Sequence, residues 1–321
     1  MLQHPNKDTN IYTIAFYNLE NLFDTRNNPY TLDDDFTPRG KKNWTDKRYK
    51  RKLKKLGRAI SYAGFYKSFQ TPVIVGVAEV ENQKVLRDLT KSKHLRDHDY
   101  SIAHFDSSDE RGIDVGLLYK ADLFDIHETN TIRVDLVDEQ GMPDYTRDIL
   151  YVKGTLLKEE IHLLVNHWPS RRGGSEKTEH KRLTASETLS GKINHLLYEN
   201  PDANIIVMGD FNDDPHSKSM EQLLEIQQLY NPMQKLFSMN RGSLNHNFHW
   251  NLFDQIILTH NFFEYKPNTL SFLHADIFDD EFLREWQGKN KGNPFRTFKG
   301  RRYLGGYSDH YPVYIHLKHN I

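Results

Sequence analysis

The chain has 321 residues and no cysteine, which excludes disulfides and thiolate metal sites, so any metal must sit on oxygen or imidazole ligands. Its 43 Lys+Arg and 44 Asp+Glu leave a formal net charge of -1, which argues against coating nucleic acid by bulk charge but permits a local basic face. No apolar run approaches the ~20 residues of a membrane-spanning helix, and residues 1–10 carry no apolar signal-peptide core, so a soluble protein of open compartment is expected.

Short apolar segments rich in β-branched and aromatic residues predict strands at 11–17, 72–78, 113–119, 149–156, 161–166, 203–208, 252–258 and 311–317. A helix is predicted over 46–63, with Thr45 at its N-cap and Leu53, Leu56, Ala59 and Ile60 on one face. A second is predicted over 175–198, carrying Leu183, Leu189, Ile193, Leu196 and Leu197 and stopping before Pro201. Segments 24–43 and 288–306 read as polar loops of a length that is often functional. Strands clustered between two helices suit mixed sheets covered by helices better than a regular βαβ alternation. No linker composition or repeat interrupts the chain, so one domain over 1–321 is expected, with 1–10 a flexible start.

Several of these strands end on residues that can do chemistry. Strand 203–208 runs into Gly209-Asp210-Phe211-Asn212, where glycine allows the turn and an acid and an amide follow two residues apart. An Asp there can bind a metal or take a proton from water, and an Asn can donate to a phosphoryl oxygen; the simpler reading is an Asx turn. The last strand is preceded by Ser308-Asp309-His310, a carboxylate beside an imidazole that titrates near neutrality. Glu79 closes strand 72–78, Asn18 follows strand 11–17, and Asn166-His167 follows strand 161–166. Asp254 lies inside an apolar strand, where an unpaired charge would be costly. His94, His98 and His104 read as surface residues.

Taken in order, these motifs resemble the endonuclease/exonuclease/phosphatase superfamily, the fold group of pancreatic deoxyribonuclease, and the resemblance runs from Asn18 to His310. It implies an α/β fold, a four-layer α/β/β/α sandwich with two packed mixed β-sheets. It implies that Glu79, Asn18 and Asp309 surround Mg²⁺, with Mn²⁺ or Ca²⁺ as substitutes. Asp210 and Asn212 match the pair that handles the water and steadies the transition state; His310 matches the histidine beside the scissile phosphate, and Asp254 the acid that holds its ring. His167 resembles a second histidine of the deoxyribonuclease branch, Arg147 a phosphate-binding arginine, and Asp114 a residue that orients His167. Phosphoester cleavage needs charge neutralised at phosphorus, an activated water and help for the leaving oxygen, which such a set can supply.

Fold does not fix substrate. Arg171 and Arg172, followed by two glycines, could clamp a phosphate next to His167, or could simply form a surface turn. Basic stretches at 41–58 and 284–302 suggest a polyanion, although a charge run is also what a solvated face looks like. The expected activity is a nuclease or related phosphodiesterase acting on nucleic acid. The alternatives are a phosphomonoesterase of an inositol or sugar phosphate, a sphingomyelinase-type phosphodiesterase, or a binding protein that has lost chemistry. Nothing signals an obligate protein partner.

Overall fold

The computed structural model describes residues 10–138 and 140–321; the start expected to be flexible lies, except for Asn10, outside them. The principal strands are β1 (Ile11–Leu22), β2 (Ile74–Val80), β3 (Tyr100–His104), β4 (Asp114–Lys120), β5 (Phe124–Ile132), β6 (Ile149–Leu156) and β7 (Glu159–His167). They continue with β8 (Ile205–Asp210), β9 (Leu229–Tyr230), β10 (Leu244–His246), β11 (His249–Asn251), β12 (Asp254–Thr259), β13 (Leu270–Ile277) and β14 (Val313–His319). The principal helices are α1 (Asp46–Tyr62), α2 (Gln83–Thr90), α3 (Ser175–Glu199) and α4 (Lys218–Leu224). One six-stranded mixed sheet has the order β13-β14-β1-β2-β4-β3, and the other β9-β12-β8-β7-β6-β5.

The sheets pack face to face with helices outside, which is the four-layer sandwich expected. Strand β8 shows why. Its Ile206 and Met208 enter a core shared with Ile14, Phe16, Val75 and Val77 of the opposite sheet, whereas Ile205 and Val207 cluster with Ala185, Leu189 and Ile193 of α3. A strand buried on both faces reads as a continuous apolar run. Gly76 permits the close approach of the sheets, since a Cβ there would lie 2.5 Å from Met208 Sδ. Helix α1 buries Leu53, Leu56, Ala59 and Ile60, as its spacing predicts. Among the described residues no helix is long and apolar enough to cross a membrane.

Strands β3, β5, β9 and β13 are absent from the sequence prediction, and all four lie at sheet edges. An edge strand is half solvated and carries polar residues, so its pattern is weak; β5 (FDIHETNTI) buries only Phe124 fully. Thr45 occupies the N-cap of α1 in an extended conformation, but its side chain makes no capping hydrogen bond. In α3 the buried residue is Arg182, not its neighbour Leu183, because Arg182 turns inward to Asp213. The loop expected over 288–306 contains a small ladder between Phe298–Lys299 and Arg302–Tyr303.

Candidate active site

The site grows from strand register. Asp210 closes β8, and its ladder partners are His167 at the end of β7 and Asp254 at the start of β12, so three reactive side chains share one row. Asp210 Oδ1 accepts the Asn212 backbone N–H at 2.9 Å, and Oδ2 accepts Asn18 Nδ2 at 2.9 Å, which joins the two sheets through one carboxylate. His167 Nε2 and His310 Nε2 approach the same Oδ2 at 3.7 and 3.9 Å. His310 Nδ1 is bonded to Asp254 Oδ2 at 2.6 Å. Ser308 sets the turn that delivers this ring: its hydroxyl donates to Asn18 O at 2.7 Å and accepts the His310 N–H at 3.1 Å.

The two histidines are driven in opposite directions. Burial disfavours a charged His310, but Asp254, then Asp210 and Asp309, override it and hold its pKa well above the usual value. His167 is buried without a carboxylate bonded to it; burial, then Arg147, Arg111 and His310, push its pKa well down. Burial lifts the Asp210 carboxyl to about 6, with His310 opposing and Asp254 adding to the rise. Divergent environments for neighbouring titratable groups are the mark of an acid–base site.

A second, more open half lies beside this row. Both β1 and β2 shift register here, between Asn18 and Leu22 and between Ala78 and Val80, and Glu20, Asn21 and Glu79 adopt positive φ of 50°, 55° and 61°. Such bulges re-aim side chains, and left-handed backbone at non-glycine residues clusters at functional sites. Glu79 Oε2 accepts the Asn21 N–H at 2.8 Å, while Oε1 lies 4.0 Å from His167 Nε2. Asp309 is held by Arg296 at 2.7 Å. Glu20 receives the Thr297 and Phe298 N–H groups; burial, reinforced by Asp309, pushes its carboxyl up to about 7. Beneath them Lys52 donates to Glu20 O at 2.7 Å and Thr297 Oγ1 at 2.6 Å; burial lowers its pKa to about 8 against Glu20, Asp309 and Glu79.

Most residues singled out from the sequence therefore meet: Asn18, Glu79, His167, Asp210, Asn212, Asp254, Asp309 and His310. Arg147 is buried nearby, bonded to Asp109 at 3.0 Å and to Trp168 O at 2.8 Å. Asn212 Nδ2 donates to the same Trp168 carbonyl at 2.9 Å.

Three expectations need correction. Asp114 does not orient His167; it accepts the Ser107 N–H at 3.0 Å and faces His104 across the β3–β4 ladder, while His167 Nδ1 is buried without a hydrogen-bond partner among the described residues. His104 is not a surface residue, since its side chain is only 2% exposed beside Asp114. Arg171 is not free to clamp a phosphate, because its donors go to Asp213, Asp214 and the Asn212 carbonyl. Arg172 is exposed on the turn that follows.

Glu20, Arg111 and Asp109 are not singled out by the sequence, and Lys52 and Arg296 enter it only as members of the basic stretches 41–58 and 284–302. Lys52 looks like one more member of a charge run; only its helical phase, three after Tyr49 and four before Leu56, places it on the inward face.

Ligand atoms of Asp210, Asp254 and His310 lie within 4.8 Å of one another, close enough to hold a cation. The more open acids Glu79 and Asp309 offer a purely oxygen donor set.

A model of the Endonuclease/Exonuclease/phosphatase family matches residues 13–319. No curated protein matches the sequence. Similar solved structures include a truncated Caenorhabditis elegans TDP2, with a TM-score of 0.60 at 13% identity over 98% of this chain and 99% of that one. The D. rerio TDP2 complexed with single strand DNA product has a TM-score of 0.57 at 18% identity, over 96% and 99%. A mannosyl-6-phosphatase from Bacteroides thetaiotaomicron has 0.55 at 17% identity, over 95% and 99%. At such identities the likeness is one of fold.

Proposed function

The chain belongs to the Endonuclease/Exonuclease/phosphatase family, and on that premise we propose that it hydrolyses phosphodiester bonds of nucleic acid with the help of Mg²⁺. The observation that carries the reading is the buried row of His167, Asp210 and Asp254 with His310 bonded to Asp254 at 2.6 Å, because it places a proton acceptor and a proton donor around one point. Asp210 Oδ2, with a pKa near 6, is largely ionised at neutral pH and accepts the proton of the attacking water. His310, kept as an imidazolium by Asp254, presents Nε2 to the phosphoryl oxygens as their charge grows. His167 stays neutral, and Asn18 and the Asn212 N–H fix the Asp210 carboxylate in position. Arg147 adds positive charge beside His167.

The open acids fit a hard divalent cation. Among the described residues Glu79 Oε1 makes no hydrogen bond to protein, Asp309 is 30% exposed, and Glu20, Lys52 and Arg296 gather beside them. Glu79 and Asp309 would hold the ion, with Asn18 beside them, and the ion would supply Lewis acidity at phosphorus.

A polyanionic substrate is supported by α1. Lys47, Lys50, Arg51, Lys54, Lys55 and Arg58 line a concave face of about 700 Å³ with Tyr307, and among the described residues none of the six has an ion-pair partner. The TDP2 structure with a single strand DNA product shows that a protein of this fold binds such a strand. A phosphomonoesterase of a sugar phosphate is the second reading, favoured by an amide-lined cavity beside Asp309.

The test is a screen with and without Mg²⁺ over single-stranded DNA, RNA, bis-p-nitrophenyl phosphate and p-nitrophenyl phosphate. Metal-dependent cleavage of the nucleic acids and the diester is expected. Turnover of the monoester alone would replace this reading by the second.

A further inference from the structure

We propose that the tip of the β10–β11 hairpin, with Phe248 at its point, forms one wall of a nucleobase subsite next to Asp309. The inference rests on the nucleic-acid reading above and adds to it a place and a residue for base recognition.

His246 and His249 pair across the hairpin, leaving Asn247 and Phe248 as a two-residue turn with φ of 50° and 65°. This is the primed turn that suits hairpins, and its second position is where glycine is usual. Phenylalanine is strained at that φ. It recovers little by burial, because the residue is 65% exposed. Folding alone gives no reason for this residue here.

The tip is also held in fixed relation to the reactive groups. Leu244 bridges His310, the Tyr311 N–H donates to Ser243 O at 2.7 Å, and the Trp250 ring stacks on Tyr311 at 6.1 Å. Phe248 thus stands over a cavity of about 400 Å³ that reaches Asp309 and Arg296. That volume lies in the general range of small-ligand pockets. Asn245, Asn290 and Asn293 line it, and Asn293 Nδ2 donates to Asn245 Oδ1 at 3.3 Å, which orients the pair. Amides offer both donors and acceptors to the edge of a base, and an exposed aromatic offers a face on which any base can stack. The phosphate of the same nucleotide would then lie toward Arg296 and Asp309.

Calorimetry with non-hydrolysable probes tests this without relying on turnover. Thymidine 5′-methylenephosphonate should bind the wild-type protein more tightly than methylphosphonate or mannose 6-methylenephosphonate. Phe248→Ala should weaken the nucleoside probe about 10-fold, within the range for loss of one stacked base, and leave methylphosphonate unchanged; Phe248→Trp should restore binding. Phe248→Gly should weaken the nucleoside probe equally while melting no lower than wild type, since glycine relieves the strained turn. Unaltered nucleoside binding in Phe248→Ala, or equal wild-type affinity for the mannose probe, overturns the subsite. Absence of nucleic-acid cleavage in the activity screen would instead count against the function proposed above.

Discussion

Asp210 and Asp254 stand directly opposite each other in the ladder between β8 and β12, both buried, with the His310 ring reaching Asp254 at 2.6 Å and Asp210 at 3.9 Å. Two like charges facing across an antiparallel pair repel, and the arrangement is tenable because one imidazolium serves both. Burial and the facing Asp254 lift Asp210 toward the range of a useful base against the opposing pull of His310, while the two acids keep His310 charged. Asp254→Asn preserves the shape but removes the charge that holds the imidazolium. It should lower kcat by roughly 10²–10⁴-fold with little change in the unfolding midpoint; wild-type kcat in this variant would refute the assignment of His310.

Glu79 is the most accessible test of the metal half. Its side chain is 14% exposed and its backbone position is set by β2, so Glu79→Gln should fold normally. The amide keeps an acceptor for the Asn21 N–H but loses the charge a divalent cation needs. The Mg²⁺ concentration for half-maximal activity should rise at least about 10-fold, and EDTA should silence the wild-type enzyme reversibly. A metal titration that does not shift would remove Glu79 from the ligand set.

How much of this was legible in the sequence depends on burial. The central strands could be read because both their faces are apolar, and polar residues stood out where they close an apolar run, as with Asp210 and Glu79, or interrupt one, as with Asp254. The edge strands β3, β5 and β13 were not legible, since one face is wet. Long-range charge partners were illegible for another reason: helical phase turns Lys52 inward, but nothing local names Glu20 as the residue it lies under. Arg171 misled because adjacency to His167 and two glycines suggested a phosphate clamp, whereas the acids that claim it come 42 and 43 residues later.

Asp213 is the anchor of the Gly-Asp-x-Asn turn. Its Oδ2 lies 2.8 Å from Nε of the buried Arg182 of α3 and accepts the Ser219 hydroxyl, while Oδ1 takes two bonds from Arg171. Arg182→Met would leave the buried Asp213 carboxylate without the more buried of its two guanidinium neighbours. It should cost about 3–5 kcal/mol in urea unfolding and lower kcat by loosening Asp210 and Asn212. Arg171→Ala, with a side chain 26% exposed and Arg182 still in place, should cost about 1–2 kcal/mol and leave KM for a small diester unchanged. A large rise in KM in Arg171→Ala would reinstate the phosphate clamp.

The basic face of α1 predicts a salt signature. If a single strand runs along Lys50 and Lys54, each lost phosphate contact should flatten the slope of log affinity against log salt by about 0.7. Lys50→Glu with Lys54→Glu should therefore weaken binding of single-stranded DNA and make it less salt-sensitive, without altering kcat/KM for bis-p-nitrophenyl phosphate. An unchanged slope in the double variant would show that α1 is a solvated face and not part of the substrate path.

His316 gives stability a pH dependence separable from catalysis. It is buried on β14, with Nε2 2.9 Å from Gly64 O just past the end of α1, and with His274, Lys67 and Asp276 as its charged or titratable neighbours. Burial drives its pKa down to about 4, against the donation to Gly64, so the folded protein binds fewer protons than the unfolded chain between that value and the ordinary 6.5. Stability contributed by the neutral ring is complete above about 6.5 and is lost as pH falls toward 4, an effect on the order of 3 kcal/mol. Raised carboxyls such as Asp114, pushed up to about 7 by burial, act in the opposite sense over the same window, so the total curve is a sum of opposing parts. The difference between wild type and His316→Gln isolates the term: the variant keeps a donor toward Gly64 but cannot titrate. Urea unfolding between pH 7 and 4.5 should show the wild type losing more stability than the variant, and parallel curves would mean that His316 ionises in the folded protein as freely as in the unfolded chain.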